Sequence, residues 1–219
     1  MKKIEFRTTN DGSTTLYNGE IDECYHSMFG ARHESMHIFI DSGLKLCHKT
    51  PINVLEVGFG TGLNAFLTAL EAEKNGTPIH YTTLELYPLT ANIYTKLPYA
   101  ETSEERSLFA QLHTCAWEQT MPITPHFSIT KLQADLSTII HFDSTFDCVF
   151  FDAFSPEKQP ELWEESIFAK IYKAMNTGGV LTTYCAKGIV RRTLQHVGFV
   201  VERIAGPVGG KREILRARK

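Results

Sequence analysis

The stretch Glu56-Val57-Gly58-Phe59-Gly60-Thr61-Gly62-Leu63-Asn64 sets three glycines at alternate positions. Glycine permits positive φ and lets a ligand come close to the backbone. A helix N-terminus behind such a turn offers free N–H groups and a partial positive charge. The turn therefore suits a nucleotide or a nucleoside-bearing cofactor. Glu85 closes a later apolar run, roughly 20 residues past the glycines, where a carboxylate can take ribose hydroxyls. Asp135 and Asp152 also follow apolar runs. Each of these acids has a blander account as well: a surface carboxylate for Glu85, a helix N-cap before Leu136 for Asp135, a turn cap for Asp152.

These residues need elements to hold them. Ile52 to Val57 reads as a buried parallel strand, and Leu63, Phe66, Leu67 and Leu70 recur at helical spacing. Further strands are expected at Ile79 to Leu84, Phe127 to Leu132, Phe146 to Phe151, Val180 to Tyr184, Phe199 to Ile204 and Arg212 to Ala217. A helix is expected to start at Tyr87-Pro88-Leu89, and others to cover Ser107 to Trp117 and Leu162 to Met175. Pro122 and Pro125 close the section before the third strand, and Asn176-Thr177-Gly178-Gly179 reads as a turn. A basic helix follows Ala186-Lys187-Gly188 and ends at Gly198. Alternating strands and helices imply an α/β fold with a mostly parallel sheet. In such sheets ligands sit at the strands' C-terminal ends, where Gly58, Glu85, Asp135 and Asp152 all fall.

The glycine pattern differs from the dinucleotide fingerprint, because the third glycine comes only two residues after the second. It resembles the loop of the S-adenosylmethionine (SAM) dependent methyltransferases. That resemblance implies a Rossmann-like class I fold of seven strands, the last antiparallel. It places Glu56, Gly58 to Asn64, Glu85, Asp135, Leu136 and Asp152 around SAM, with Glu85 on the ribose and Asp135 on the adenine amino group. Methyl transfer from a sulfonium is an in-line displacement that needs an aligned lone pair and no metal. An alkylamine acceptor, with a pKa of about 10, arrives as ammonium. Asp152 would bind it and take or relay its proton. Phe154 would exclude water or stack on a base, and Ser155-Pro156 would fix the loop.

Composition sets outer limits. The chain has 219 residues, 42% hydrophobic and 21% charged, which suits one α/β domain with an appended segment. No apolar run approaches a membrane span, and no signal peptide is legible. Cys24, Cys47, Cys115, Cys148 and Cys185 lack C-x-x-C spacing, so neither a disulfide framework nor a metal site is indicated. A cytoplasmic protein is expected. From position 181 onward nine Lys or Arg face two Glu, whereas the first 180 residues hold 13 against 23 acids. Such a basic end either meets RNA or is a solvated face.

Residues 1–50 form an N-terminal extension to the methyltransferase domain at 51–219. Asn10-Asp11-Gly12-Ser13 signals a small hairpin, and Glu34 to Leu44 a helix. His26, Glu34, Ser35 and His37 are polar enough to face cofactor or substrate, or merely to cap a helix. Glu34 and Ser35 are expected on the cofactor side, Tyr25 and His26 on the substrate side.

A narrower resemblance lies in motifs spread over nearly the whole chain. They are Asp11-Gly12-Ser13-x-Thr15-Leu16-Tyr17, Tyr25-His26-Ser27 with Gly30-Ala31 and Glu34-Ser35-x-His37, the glycine loop, Phe151-Asp152-Ala153-Phe154-Ser155-Pro156, Tyr184-Cys185-Ala186-Lys187-Gly188, and Gly210-Lys211-Arg212-Glu213. The set is similar to the methyltransferase part of the bacterial bifunctional enzymes that complete 5-methylaminomethyl-2-thiouridine at the tRNA wobble position. The resemblance implies methylation of the primary amine of 5-aminomethyl-2-thiouridine by SAM, without metal or membrane. It makes Lys187, Arg191, Arg192, Lys211 and Arg212 candidates for tRNA phosphate contact. Because the sequence stops at Lys219, a stand-alone form is expected, with a separate enzyme supplying the aminomethyl substrate. The alternatives are a SAM-dependent enzyme acting on a small amine or another RNA, an NAD-dependent oxidoreductase, and an RNA-binding module with a dead cofactor site.

Overall fold

A computed structural model describes residues 4–10, 12–139, 141–142 and 145–219. Met1 to Lys3 and Asp11, which belong to the expected N-terminal pattern and hairpin turn, lie outside the described residues. The chain begins with β1 (Ile4–Thr8) and β2 (Thr14–Asn18), an antiparallel pair joined by β3 (Glu23–Cys24) on the other edge of β2. Helix α1 (Ala31–Ser35) runs on into a wider helical turn, Met36–Asp41, and a 3₁₀ turn, Leu44–Leu46. Leu16, Ala31, Ile38 and Phe39 are buried in one core with β4 (Ile52–Val57) and α2 (Leu63–Asn75). Phe39 packs on Phe150 with ring centroids 5.2 Å apart, so this segment is tied to the sheet by apolar burial.

The main sheet continues with β5 (Ile79–Leu84), β6 (Thr120–Thr124), β7 (Phe127–Leu132), β8 (Phe146–Phe151), β9 (Met175–Thr183), β10 (Val200–Ala205) and β11 (Glu213–Arg218). Its eight strands run in the order β10-β11-β9-β8-β4-β5-β7-β6. Strands β9, β8, β4, β5 and β7 are parallel, and β11 lies antiparallel between β9 and β10. The mostly parallel α/β sheet with an antiparallel last strand is as expected. In addition β6, at the far edge, pairs antiparallel with β7 through Thr120↔Thr130 and Met121↔Ile129. Pro122 sits in β6 because an edge strand can spare an N–H.

Other boundaries moved for local reasons. Strand β9 starts at Met175, and Gly178, at φ 81°, bulges within it rather than ending a turn. After β5 only the short helix α3 (Ala91–Tyr94) forms, clear of Pro88. Helix α4 (Ser103–Thr114) begins earlier than expected because Thr102 caps it, its side chain accepting from the Glu105 N–H at 3.1 Å. Pro160–Trp163 forms its own 3₁₀ turn before α5 (Glu165–Ala174). Helix α6 (Gly188–Val197) ends at Gly198 as expected. No described helix is long and apolar enough to cross a membrane.

Candidate active site

The C-terminal ends of β4, β5, β7 and β8 open into a cleft of about 310 Å³, roofed by β3 and the segment that follows it. The glycine bend brings these ends together. The N–H groups of Gly58 and Phe59 both donate to the Leu84 carbonyl, at 3.0 and 3.1 Å, tying β4 to β5. Gly58 has φ 94°, and a Cβ there would lie 2.7 Å from the Asp152 carbonyl oxygen. Only glycine lets the bend pass this close to the end of β8. A Cβ on Gly60 would stand 3.1 Å from the Tyr25 ring, so the extension also presses on the loop.

Glu85 is half-buried beside that bend. Its Oε2 accepts from the Gly60 N–H at 2.9 Å and its Oε1 from the Tyr87 N–H at 2.8 Å. A carboxylate has about four lone-pair sites, so two remain for a diol. Asp135 accepts from the Ser137 N–H through Oδ1 at 2.8 Å. It thus caps a turn, not the helix its blander account expected, while still lining the cleft with Leu136. Asp152 accepts from Asn64 Nδ2 at 2.8 Å. Burial pushes its carboxyl up to about 7; the Asn64 bond and Lys211 oppose this, and Glu34 adds to it.

Above these groups the N-terminal segment supplies the roof. Tyr25 meets Phe154 edge-on at 5.1 Å. His26 bonds the Thr61 hydroxyl through Nε2 at 2.7 Å, and its burial lowers the imidazole to about 4, so it is neutral at pH 7. Glu34 accepts from the Ser27 N–H at 2.8 Å. Its other oxygen lies 3.3 Å from Lys211 Nζ, which also sits 3.7 Å over the Tyr184 ring. Ser155 donates both N–H and hydroxyl to Glu23 Oε2, at 3.0 and 2.8 Å. That clamp fixes the Phe154 loop on β3.

Of the residues singled out from the sequence, Tyr25, His26, Glu34, Gly58, Gly60, Glu85, Asp135, Leu136, Asp152, Phe154 and Lys211 line the cleft. The structure sets the others elsewhere. Ser35, Glu56, Phe59 and Leu63 are buried behind the wall; Phe59 packs on His113 and Trp117. Thr61 and Asn64 reach the cleft only through His26 and Asp152. Gly62 opens α2 against His113. Lys187 pairs with Glu157, and Arg192 and Arg212 are exposed away from the cleft. Lys211 is a cleft-wall residue paired with Glu34, so the structure does not leave it free for phosphate. His37 instead bonds the Ala205 carbonyl at 2.8 Å. Sequence reasoning missed Glu23, and it quoted Tyr184 only as part of a motif without giving it a role, because the partners of both are far away in the chain.

Six carboxylates, on Glu23, Glu34, Glu85, Asp135, Asp152 and Glu161, line the cleft, and Lys211 is the one Lys or Arg there among the described residues. Such a field repels a pyrophosphate and attracts a cation. NAD is therefore a poor fit. A sulfonium cofactor with an α-ammonium group, offering a ribose diol to Glu85, is a good one.

The comparisons agree. A family model described as S-adenosyl-L-methionine-dependent methyltransferase matches residues 106–219. The chain belongs to the S-adenosyl-L-methionine-dependent methyltransferases. Its cofactor is SAM, and the methyltransferase uses it in a Rossmann-like fold. Over 93% of its length it is 28% identical to a tRNA 5-methylaminomethyl-2-thiouridine biosynthesis bifunctional protein MnmC from Leptospira borgpetersenii, covering 33% of that protein. Over 88% it is 31% identical to the MnmC protein of Ectopseudomonas mendocina, covering 32% of it. The methyltransferase thus spans about a third of the length of these curated relatives. The crystal structure of MNMC2 from Aquifex aeolicus superposes with a TM-score of 0.82 at 27% identity, over 100% of this chain and 71% of that one. Spermidine synthase from Thermotoga maritima, at 14% identity and TM-score 0.66, shares the fold, over 100% of this chain and 70% of that one.

Proposed function

We propose that the methyltransferase converts the primary amine of 5-aminomethyl-2-thiouridine, at the tRNA wobble position, to the methylamine of 5-methylaminomethyl-2-thiouridine. The observation that carries this reading is Asp152: its carboxyl faces an acid-rich cleft directly beside the glycine bend. The named activity of the MnmC relatives supplies the substrate.

SAM, when bound, supplies an electrophilic methyl carbon on a sulfonium sulfur. Gly58, Gly60, Glu85 and Asp135 would hold it. Asp152 receives the substrate ammonium as a hydrogen-bond acceptor and takes its proton. An ordinary carboxylate lies about 6 pKa units below an alkylamine; at about 7 the gap narrows to about 3, which makes proton acceptance less uphill. Tyr25 and Phe154 wall the amine from water, which strengthens its pairing with Asp152. Leu86 and Tyr87 are 39% and 55% exposed at the mouth, where a splayed base can stack.

Phosphate contact falls to the basic side chains outside the cleft, Arg191, Arg192 and Arg212. This role places the enzyme in the cytoplasm with tRNA, and requires a separate activity that installs the aminomethyl group. In this reading residues 1–50 complete the site of the domain at 51–219. The test is mass analysis of nucleosides from undermodified tRNA incubated with protein and SAM. A gain of one methylene on aminomethyl-thiouridine is expected; an unchanged nucleoside, with SAM bound, overturns the tRNA assignment. The same carboxylates suit a small free amine, and turnover of such an amine but not of tRNA would favour that second reading.

A further inference from the structure

Behind Asp152 lies a group of buried polar atoms that the surrounding elements leave unanswered. Asn64 Nδ2 donates to Asp152, but Asn64 Oδ1 meets no donor. Glu56 Oε2 accepts from the Thr83 hydroxyl at 2.6 Å, yet Glu56 Oε1 and the Tyr81 hydroxyl are both unpartnered. Asn64 is 3% exposed, Tyr81 1% and Glu56 0%. The Asn64 amide and the Tyr81 hydroxyl both lie close enough to the Glu56 carboxyl to favour its ionised form, and burial outweighs them. Glu56 is opposite Thr83 in the register of β5 and opposite Phe150 in that of β8.

A single proton answers the two acceptor oxygens, Glu56 Oε1 and Asn64 Oδ1. A carboxylate can only accept, so an ionised Glu56 offers nothing to the Asn64 carbonyl. With a proton on Oε1, Glu56 donates to Asn64 Oδ1. We propose that Glu56 is a neutral carboxylic acid in the working enzyme, a positioning residue whose O–H holds the Asn64 amide with its NH₂ end on Asp152. This rests on the reading of Asp152 given above. An amide has one donating end and one accepting end, so Glu56, Asn64 and Asp152 together keep one proton. Turning the amide round would move that proton onto Asp152 and spoil it as an acceptor.

The surroundings decide where the proton stays. Glu56 faces Thr83, Tyr81, Asn64 and Asp152, and burial pushes it up to about 8. Asp152 faces Asn64, Glu34, Lys211, Tyr81 and Tyr184 and opens to the cleft, with its carboxyl at about 7. Glu56 is wholly enclosed, whereas Asp152 opens to the cleft with Lys211 on its side, so the enclosed acid is the one that holds the proton. Hydrogen bonds in such a chain reinforce one another, from Thr83 through Glu56 and Asn64 to Asp152.

Infrared spectroscopy of the whole protein at pH 7 tests the protonation directly. A protonated-carboxyl stretch is expected, shifted by carbon-13 glutamate and lost in Glu56→Gln. No such band in the parent, or a band that survives in Glu56→Gln, overturns the proposal. This arm needs no RNA, so it stands or falls separately from the substrate assignment. Kinetics supply the positioning arm. Glu56→Gln keeps a donor for Asn64, whereas Glu56→Leu does not. The kcat of Glu56→Leu should fall about tenfold below that of Glu56→Gln, the equivalent of about 1.4 kcal/mol, with SAM affinity alike in both. The alkaline fall in parent activity near Glu56's value of about 8 should vanish in Glu56→Gln. Equal kcat in the two variants, or an unchanged alkaline limb, refutes the positioning role. Where Glu56→Leu fails to fold, the spectrum and the Glu56→Gln profile decide.

Discussion

Replacing Asp152 by asparagine separates the stability of the site from its chemistry. The carboxyl rises from 3.8 to about 7 on folding, roughly 3 units or about 4 kcal/mol. Asp152 keeps some contact with the cleft, and Lys211 and Asn64 oppose the shift, so about 2 kcal/mol is the expected size after screening. The sign follows from proton linkage. An acid with a raised folded pKa is neutral in both states below about 4, and there its burial carries no charge penalty. Stability then declines as pH rises through the window from 3.8 to about 7. The introduced amide has no such charge, and its oxygen can still accept from Asn64. Urea denaturation at pH 5 and pH 8 should show the variant gaining on the parent, chiefly at pH 8 and by about 2 kcal/mol. Methyl transfer should meanwhile fall by 10²-fold or more, the usual scale for losing a positioned proton acceptor. Calorimetric SAM affinity should stay within a few-fold. A variant no more stable at pH 8 than at pH 5, relative to parent, would refute the buried-charge argument. Parent-like turnover would refute the role of Asp152.

Three further outcomes follow from the same geometry. Gly58→Ala puts a Cβ 2.7 Å from the Asp152 carbonyl at φ 94°; the strain, about 2–4 kcal/mol, should lower Tm by about 5–15 °C and weaken SAM binding in titration. Lys131, 0% exposed, donates through Nζ to the Leu112 and His113 carbonyls at 2.9 and 2.8 Å. Lys131→Met strands the His113 carbonyl and leaves Leu112 only the weak Cys115 thiol at 3.5 Å, and thermal melting should register a loss of about 2–4 kcal/mol. Arg191→Glu with Arg192→Glu should weaken tRNA binding in filter or anisotropy assays and flatten its salt dependence, while SAM affinity holds; unaltered tRNA affinity would leave the basic end a solvated face.

What the chain alone determined was local. Apolar runs such as Ile52–Val57 and Phe146–Phe151 commit to strands because burial on both faces demands continuous hydrophobicity. The glycines at 58, 60 and 62 mark a bend because other residues resist positive φ. The glycine bend after β4 and the acids after β5, β7 and β8 share one edge because parallel strands all point the same way. Tertiary structure decided what depended on distant partners. Lys211, read as a phosphate contact, is neutralised by Glu34, which no local pattern could announce. Lys131 looks like an ordinary strand lysine until α4 lays its last carbonyls over it. Glu56, read as a ligand residue from its motif, is shut behind the wall by α2. Periodicity reports which face a side chain takes, whereas pairing and burial of a charge depend on which other segment arrives opposite it.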